Sequence, residues 1–167
     1  LGGRGMMVVW DEATLREYLQ RESVLYGPGM PLELVEYLED AYEYDVDAVS
    51  DGKDTWIAGV MQHIEEAGVH SGDSACTLPP FHAPPGLMLH IRDIVERLAA
   101  EFRVKGLINV QVAVKNDRVY VLEVNPRASR TLPFVSKATG VPWIKLAARC
   151  MVGRSLAEDP AQDFVPQ

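Results

Sequence analysis

Two alternating stretches near the middle of the chain, LINVQVAV and VYVLEV, constrain the fold more than any other feature of the sequence. In residues 107–114, Val110, Val112 and Val114 alternate with polar or small residues, and residues 119–124 repeat the same period of two. Successive side chains of a strand point to opposite faces of a sheet, so each stretch is typical of a strand with one buried face. Only the four residues KNDR separate them, which predicts an antiparallel hairpin.

The apolar residues also predict the register of this hairpin. We expect the three valines to share a face with the alternating residues of the return strand, Tyr120, Leu122 and Val124. Gln111 and Glu123 then lie together on the opposite face. This pairing needs an odd number of loop residues, or a bulge, near residues 116–118, because a plain two-residue turn would place Gln111 opposite Leu122. Each buried large aliphatic side chain contributes roughly 1.5–3 kcal/mol, so a slipped register would be costly.

The return strand ends in LEVNPRASRT, which gathers polar groups around a proline turn. Asn125 follows Glu123 by two residues and therefore points to the same side, near Gln111. One carboxylate and two amides offer the hard oxygen ligands that Mg²⁺ takes together with phosphates and waters. Arg127 and Arg130 could each bind phosphate or carboxylate oxygens through two parallel hydrogen bonds. The stretch predicts a phosphate–metal site, and a solvated strand end is the alternative.

The rest of the chain completes an α+β pattern, with a largely antiparallel sheet flanked by helices. Further strands are predicted at residues 6–9, 32–38, 44–49 and 55–64. Helices are predicted after an N-terminal cap at Asp11, from about Leu87 to Phe102 with an apolar face, and over about 142–152. The acidic, proline-bearing tail is typical of a linker.

Composition and charge exclude several functions. A formal net charge of −8 argues against broad nucleic-acid binding, and no apolar run approaches the roughly 20 residues needed to span a bilayer. We expect a cytoplasmic protein in which Cys76 and Cys150 stay reduced. An anionic substrate would have to be held by local cations or by a metal. The chain begins LGGRG without an initiator methionine, and we expect it to be part of a longer protein.

Other stretches carry weaker signals. The glycines of residues 2–5 could let backbone N–H groups approach a phosphate, although a flexible terminus is the simpler interpretation. The loop GVHSGD places a histidine among glycines. Glu43, Asp45 and Asp47 alternate and should share one face, most simply a solvated one, although Glu43 could also bind a ribose. The remaining histidines, at 63, 82 and 90, lack metal-ligand spacing and are interpreted as structural or surface residues.

Five stretches together resemble the large subunit of carbamoyl phosphate synthetase: LGGRGM, HIEEAGVHSGDSA, GLINVQVAVKN, VYVLEVNPRASRTLPFVSKATGVP and LAARCMVGRSL. The resemblance covers nearly the whole chain and lies within one of that subunit's ATP-grasp domains. It implies a partial ATP-grasp fold. HIEEAGVHSGDS and SRTLPFVSKATGVP are more similar to the half that phosphorylates carbamate than to the half that activates bicarbonate. The implied reaction is phosphoryl transfer from ATP to carbamate, which supplies pyrimidine and arginine biosynthesis.

The resemblance implies roles for the residues at the end of the hairpin. It assigns Gln111, Glu123 and Asn125 to the Mg²⁺ or Mn²⁺ ions that bridge the nucleotide phosphates, with Gln111 and Glu123 also in the ATP site. It places Arg127 and Arg130 against the phosphoryl acceptor, as catalytic residues. Such a transfer depends on positioning and on neutralising the charge of the phosphoryl oxygens.

Further ATP contacts are implied elsewhere in the chain. Glu36 and Leu38 fall on a hinge strand beside the adenine, and Glu43 matches a ribose-binding carboxylate. A loop beside the nucleotide comprises Gly68, Val69, His70 and Ser71. A potassium site near Glu43 and His70 is a further implication of the resemblance.

The resemblance also implies an organisation and partners. Residues 1–38 would be a remnant of the lid subdomain with the hinge strand, residues 39–153 the subdomain that carries the metal and nucleotide site, and residues 154–167 a linker. The intact enzyme would use a glutaminase small subunit, and this chain alone would be incomplete and inactive. Two alternatives stay open: another ATP-grasp carboxylate ligase with a different acceptor, and a non-catalytic nucleotide-binding or assembly module.

Overall fold

The computed structural model describes residues 7–26, 33–65 and 74–159. The chain divides into two compact units, Leu1–Tyr37 and Leu38–Gln167. Two of the predicted features, the glycines of residues 2–5 and the loop of residues 68–71, lie outside the described residues.

In the first unit, one helix accounts for the regular structure of the described residues. Helix α1 spans Glu12–Tyr26. Its predicted cap is confirmed, because the backbone N–H of Thr14 donates to the Asp11 carboxylate at 2.7 Å. The strands predicted at 6–9 and 32–38 are wrong where they are described: residues 7–10 and 33–38 have no regular structure. A strand needs a partner for its backbone hydrogen bonds, and the described residues provide none for either stretch.

The second unit is built on a five-stranded antiparallel sheet. Its strands, in chain order, are β1 (Tyr42–Ser50), β2 (Thr55–His63), β3 (Cys76–Thr77), β4 (Gly106–Lys115) and β5 (Arg118–Asn125). They lie in the spatial order β3-β2-β1-β4-β5, with β1 and β4 side by side near the middle. The four long strands confirm the predictions made from alternating residues. The turn from β1 to β2 is held by Asp51, whose carboxylate accepts from the N–H groups of Lys53 and Asp54, each at 2.8 Å.

Helices cover both faces of this sheet. Helix α2 (Leu87–Glu101) packs its buried residues against one face of β1 and β4. Helices α3 (Leu132–Thr139) and α4 (Trp143–Met151), together with a 3-10 turn at Leu156–Glu158, cover part of the other face. The α+β class with a largely antiparallel sheet is therefore confirmed.

Two predictions near the helix ends are wrong. Phe102 was assigned to the buried face of α2, but the helix ends at Glu101 and the Phe102 side chain is 57% exposed. The tail was predicted to be a linker from residue 154, yet two side chains within its described part, residues 154–159, are buried. Leu156 is fully buried, and Asp159 accepts a hydrogen bond from Arg149 at 2.6 Å. The apolar content of this short segment, a single leucine, was too small to register as a pattern.

The hairpin of β4 and β5 combines a two-residue turn with a bulge. Asn116 and Asp117 have φ angles of 50° and 60°, the left-handed conformation that a type I′ turn requires at both positions. The register shifts next to Gln111, so Leu122 is an extra residue in β5 and Gln111 pairs with Glu123. The predicted pairing of Gln111 with Glu123 is thus confirmed.

The bulge changes which residues of β5 reach the core. Tyr120 pairs with Ala113 and lies on the face opposite the valines, and Leu122 is 49% exposed. The prediction that both would join the valines is wrong. Val124 packs against the α2 core as predicted, and Val119 joins it there, because the extra residue reverses the alternation between them.

Candidate functional site

The candidate site begins where the face under α3 and α4 changes from apolar to polar. On β1, Val49 is buried in the core beneath these helices, and Asp47 is the preceding residue on that face. On β4 the same change occurs between Leu107, which packs against this core, and Asn109. The helices cover the apolar end of the face, and the polar end opens into a cleft.

Polar side chains form two rows across three neighbouring strands. The first row runs Asp45–Gln111–Glu123 and the second Asp47–Asn109–Asn125, each from β1 through β4 to β5. Directly paired residues of an antiparallel sheet have Cβ atoms roughly 4.5–5.5 Å apart, so neighbouring members of a row can contact the same ligand. The rows bring the three predicted metal ligands together and add residues that the sequence analysis did not select.

The acidic residues of β1 are buried. Glu43, Asp45 and Asp47 expose 4%, 3% and 2% of their surface. The interpretation of this alternating row as a solvated face is therefore wrong. Other segments cover this face: Thr131 contacts Asp47, and the buried His63 lies beside Glu43 and Asp45. A buried carboxylate is costly unless other groups pair with it, so its partners are informative.

Amide and hydroxyl donors satisfy these carboxylates. The Nδ2 group of Asn109 donates to the carboxylates of both Asp45 and Asp47, the latter at 3.0 Å. The other carboxylate oxygen of Asp47 accepts from the Thr131 hydroxyl at 2.7 Å. Burial raises the pKa of Asp47 above its usual range, and hydrogen bonds from Ser129, Thr131 and Asn109 partly oppose that rise.

His63 lies fully buried at the end of β2 beside the same acidic row. Its Nδ1 is 3.6 Å from a Glu43 carboxylate oxygen, and its Nε2 is 4.0 Å from an Asp45 oxygen. The interaction with Asp45 raises the pKa of His63, the charge of Glu43 adds to this effect, and burial opposes it. When protonated, the histidine offsets part of the negative charge of this row.

The two predicted arginines lie on the segment that connects β5 to α3. Arg127 and Arg130 are exposed, and both line a cleft of about 200 Å³. The other lining residues are Asp45, Asn109, Gln111, Ser129 and Thr131. The Arg127 guanidinium donates to the Ala128 carbonyl at 3.0 Å. Two cationic side chains therefore face the cleft that the polar rows line.

The residues at the end of the hairpin fit a divalent metal that is shared with a phosphate ligand. Gln111 and Glu123 are direct cross-strand neighbours, and Asn125 has a buried amide nitrogen without a hydrogen-bond partner. Which atom of an amide is oxygen is assigned from its surroundings, so this side chain can present an oxygen as well. Mg²⁺ is commonly bound by one or two carboxylates together with substrate phosphates. Among the described residues, no three His, Cys, Asp or Glu side chains form a metal site.

The structure describes some of the other predicted ATP contacts. Glu36 is exposed and belongs to the first compact unit, whereas Leu38 is half-buried and begins the second. Glu43 lies in the buried acidic row. Gly68, Val69, His70 and Ser71 lie outside the described residues. No strand supports the predicted hinge at residues 33–38.

Sequence reasoning missed five residues of the polar network: Asp45, Asp47, His63, Asn109 and Thr131. A signal was present for two of them, since Asp45 and Asp47 alternate with Glu43. Asn109 precedes Gln111 by two residues and so shares its face of the strand, which was a signal for a third residue. No sequence pattern connects Thr131 to β1, because their proximity depends on how α3 packs.

Comparisons with known proteins agree with this geometry. Residues 1–159 match the family described as "Carbamoyl-phosphate synthase L chain, ATP binding domain". A carbamoyl phosphate synthase large chain from Acidobacterium capsulatum is 54% identical over 167 residues, which are 100% of this chain and 15% of that protein. A large chain, C-terminal section, from Aquifex aeolicus is 53% identical over 158 residues, or 95% of this chain and 29% of that protein. The chain thus spans about 15% of the length of the full large chains that it matches.

Solved structures show the same fold at low sequence identity. A biotin carboxylase–β-γ-ATP complex from Campylobacter jejuni superposes with a TM-score of 0.76 at 18% identity, over 99% of this chain and 37% of that chain. The biotin carboxylase domain of a thermophilic 2-oxoglutarate carboxylase gives a TM-score of 0.74, also at 18% identity, over 94% of this chain and 35% of that chain. These likenesses concern the fold alone, and they confirm the expected ATP-grasp architecture. Among the described helices, none is long and apolar enough to cross a membrane.

Proposed function

The chain belongs to the family of carbamoyl-phosphate synthase large-chain ATP-binding domains, and from that premise we propose that it forms part of a site that transfers a phosphoryl group from ATP to carbamate. The observation that carries this proposal is the meeting of Gln111 and Glu123 across the hairpin, beside a cleft lined by two arginines. Phosphoryl transfer needs positioned cations more than a covalent nucleophile, and the cleft offers cations.

The side chains of the cleft and of the adjacent end of the hairpin have distinct roles in this proposal. Gln111, Glu123 and Asn125 would hold Mg²⁺ or Mn²⁺, which when bound neutralises charge on the nucleotide phosphates. Arg127 and Arg130 would bind the phosphoryl oxygens and the acceptor through paired N–H groups. Their charge matters most as negative charge develops in the transition state, so they would act mainly on turnover. The buried carboxylates of β1 would support the cleft from below.

One observation supports the carbamate-phosphorylating half of the enzyme. The chain is 53% identical to a protein named as the C-terminal section of a large chain. The resemblance of HIEEAGVHSGDS and SRTLPFVSKATGVP implies the same half. In the intact enzyme, a glutaminase small subunit would supply the ammonia from which the carbamate is made, and the carbamoyl phosphate would enter pyrimidine and arginine biosynthesis.

Since the chain spans about 15% of its full-length relatives, we expect the isolated chain to make no carbamoyl phosphate. The test is ATP-dependent carbamoyl phosphate formation by the purified chain, with Glu123→Ala as the background control. Formation above that control would show that these residues suffice for catalysis.

The assignment of this domain to the carbamate-phosphorylating half is tested in the intact large chain that contains it. Glu123→Ala should abolish ATP formation from ADP and carbamoyl phosphate, the reverse of the proposed transfer. It should leave bicarbonate-dependent ATP hydrolysis, the activity of the other half, largely in place. The opposite outcome would assign the domain to the bicarbonate-activating half. Replacing carbamate by biotin or by an amino acid as acceptor separates the proposal from another ATP-grasp ligase.

A further inference from the structure

The segment that carries the two arginines has no regular structure of its own. Residues 126–131 connect the end of β5 to the start of α3. Within it, the N–H of Arg127 donates to the Asn125 carbonyl at 2.8 Å, which closes a turn directly after β5. The arginine side chains are exposed, so burial does not fix their positions. Their placement over the polar rows therefore depends on what anchors the backbone of this segment.

Thr131 provides an anchor in an unusual way. It occupies the N-terminal cap of α3, where a threonine hydroxyl normally accepts from a backbone N–H of the first turn. Here the Thr131 side chain makes no such bond. Ser129 accepts from the N–H of Leu132 at 3.0 Å instead, and the Thr131 hydroxyl donates to Asp47. The Ser129 hydroxyl therefore caps the start of α3, and the Thr131 hydroxyl is available to bind the sheet.

Asp47 is a rigid point of attachment. It lies on β1, is 2% exposed and is held from the other side by Asn109 at 3.0 Å. Asn109 sits in the same strand as Gln111, two residues away, on the same face. The path from Thr131 through Asp47 and Asn109 therefore connects the arginine segment to the strand that carries a metal-site residue. Ionised acceptors make shorter and stronger hydrogen bonds than neutral ones, which suits such an anchor.

We propose that Asp47 and Thr131 are a positioning pair: their hydrogen bond fixes segment 127–131 on the sheet and so sets Arg127 and Arg130 relative to Gln111 and Glu123. This inference rests on the proposed phosphoryl transfer and adds two residues that do not touch the substrates. A displacement of about 1 Å at a reacting centre can cost on the order of 100-fold in rate, so a buried anchor has a large effect on catalysis.

The test uses the intact large chain and the formation of ATP from ADP and carbamoyl phosphate. Thr131→Val keeps the shape of the side chain and removes the hydroxyl, and should lower kcat about 10- to 100-fold while KM for ADP changes less than about threefold. Thr131→Ser keeps the hydroxyl and should recover most of that loss. The matched control is Ser155→Ala, which removes the hydroxyl-to-carboxylate bond from Ser155 to Asp51 (3.2 Å), in the turn that follows β1. It should lower thermal stability comparably without lowering kcat.

Double variants separate positioning from general destabilisation. If Thr131 acts through the arginines, Thr131→Val should cost much less in an Arg127→Ala or an Arg130→Ala background than in the wild-type enzyme. The positioning role would be wrong if Thr131→Val lowered kcat by the same factor in both arginine backgrounds as in the wild-type enzyme. It would also be wrong if the kcat of Thr131→Ser were no higher than that of Thr131→Val. The proposed function fails separately, if Arg127→Ala and Arg130→Ala each leave kcat unchanged.

Discussion

Gln111 and Glu123 stand directly opposite each other on β4 and β5, although the turn that joins these strands has only two residues. A plain ladder from that turn would place Gln111 opposite Leu122. The bulge at Leu122 shifts the remaining pairs by one residue and brings the carboxylate beside the amide. The proposed metal site therefore depends on an irregularity of an edge strand, and the first prediction concerns the carboxylate that this irregularity places.

Replacing Glu123 by glutamine should weaken metal binding. Glu123→Gln keeps the size of the side chain but removes the charge from a donor set whose other members are neutral amides. We expect Mn²⁺ affinity of the purified chain to fall at least about tenfold. The measurement is Mn²⁺-induced broadening of backbone amide NMR signals, which should centre on Gln111 and Asn125. Glu101→Gln, at the end of α2, is the matched control and should change nothing; broadening that is equal in both variants would contradict the site.

Removing the Arg127 side chain should act on turnover. Arg127→Ala in the intact large chain should lower kcat for ATP formation from ADP and carbamoyl phosphate about 100- to 1000-fold, as the loss of one preorganised transition-state donor does elsewhere. KM for ADP should stay within about threefold. Arg154→Ala removes an exposed arginine that does not line the cleft, and should be silent. An unchanged kcat with a raised KM would make Arg127 a ground-state contact.

The ionisation of Asp47 should make the stability of the chain depend on pH. Burial raises the pKa of Asp47 above 3.8 in the folded state. Between the unfolded and folded pKa values the folded state binds more protons, so the contribution of Asp47 is most favourable below about 3.8 and is lost as pH rises through the folded pKa. The Asp47→Asn variant has an amide in place of this carboxyl group, which does not titrate, so the variant serves as the reference.

Urea unfolding of both proteins between about pH 3.5 and pH 7 measures this effect. The free energy of unfolding of the wild-type chain, minus that of Asp47→Asn, should decrease as pH rises. The loss of a hydrogen bond in the variant adds an offset that does not depend on pH. A difference that increases with pH would mean that hydrogen bonding outweighs burial at Asp47.

Gly59 should tolerate no side chain, because β2 and α3 approach each other closely there. A Cβ atom at Gly59 would lie 2.9 Å from a methyl carbon of Val135. Gly59→Ala should therefore lower the free energy of unfolding by about 1–3 kcal/mol. In a Val135→Ala background the cost of the same change should be smaller, which urea unfolding of the four proteins would measure. Strictly additive costs would show that the contact is not the cause.

Much of the fold could be predicted because strand and helix periods are local. The alternation of Val110, Val112 and Val114 identified a strand, and Asp11 identified the start of a helix. The predicted Gln111–Glu123 pairing was also correct. The irregularity that this pairing requires was expected near residues 116–118 and lies at Leu122 instead, since a bulge leaves no mark in the alternation. The assignment of Tyr120 and Leu122 to the core failed for that reason.

For the acidic row of β1, the sequence predicted the shared face but not its burial. The spacing of Glu43, Asp45 and Asp47 determined that they share a face, because the strand period is two. Whether that face meets water depends on segments far along the chain: β4 pairs beside it, and Thr131 reaches Asp47 across 84 positions. The sequence by itself therefore determined the residue types and their local order. Only the tertiary structure decided that these carboxylates are buried, because burial is a property of packing between distant segments.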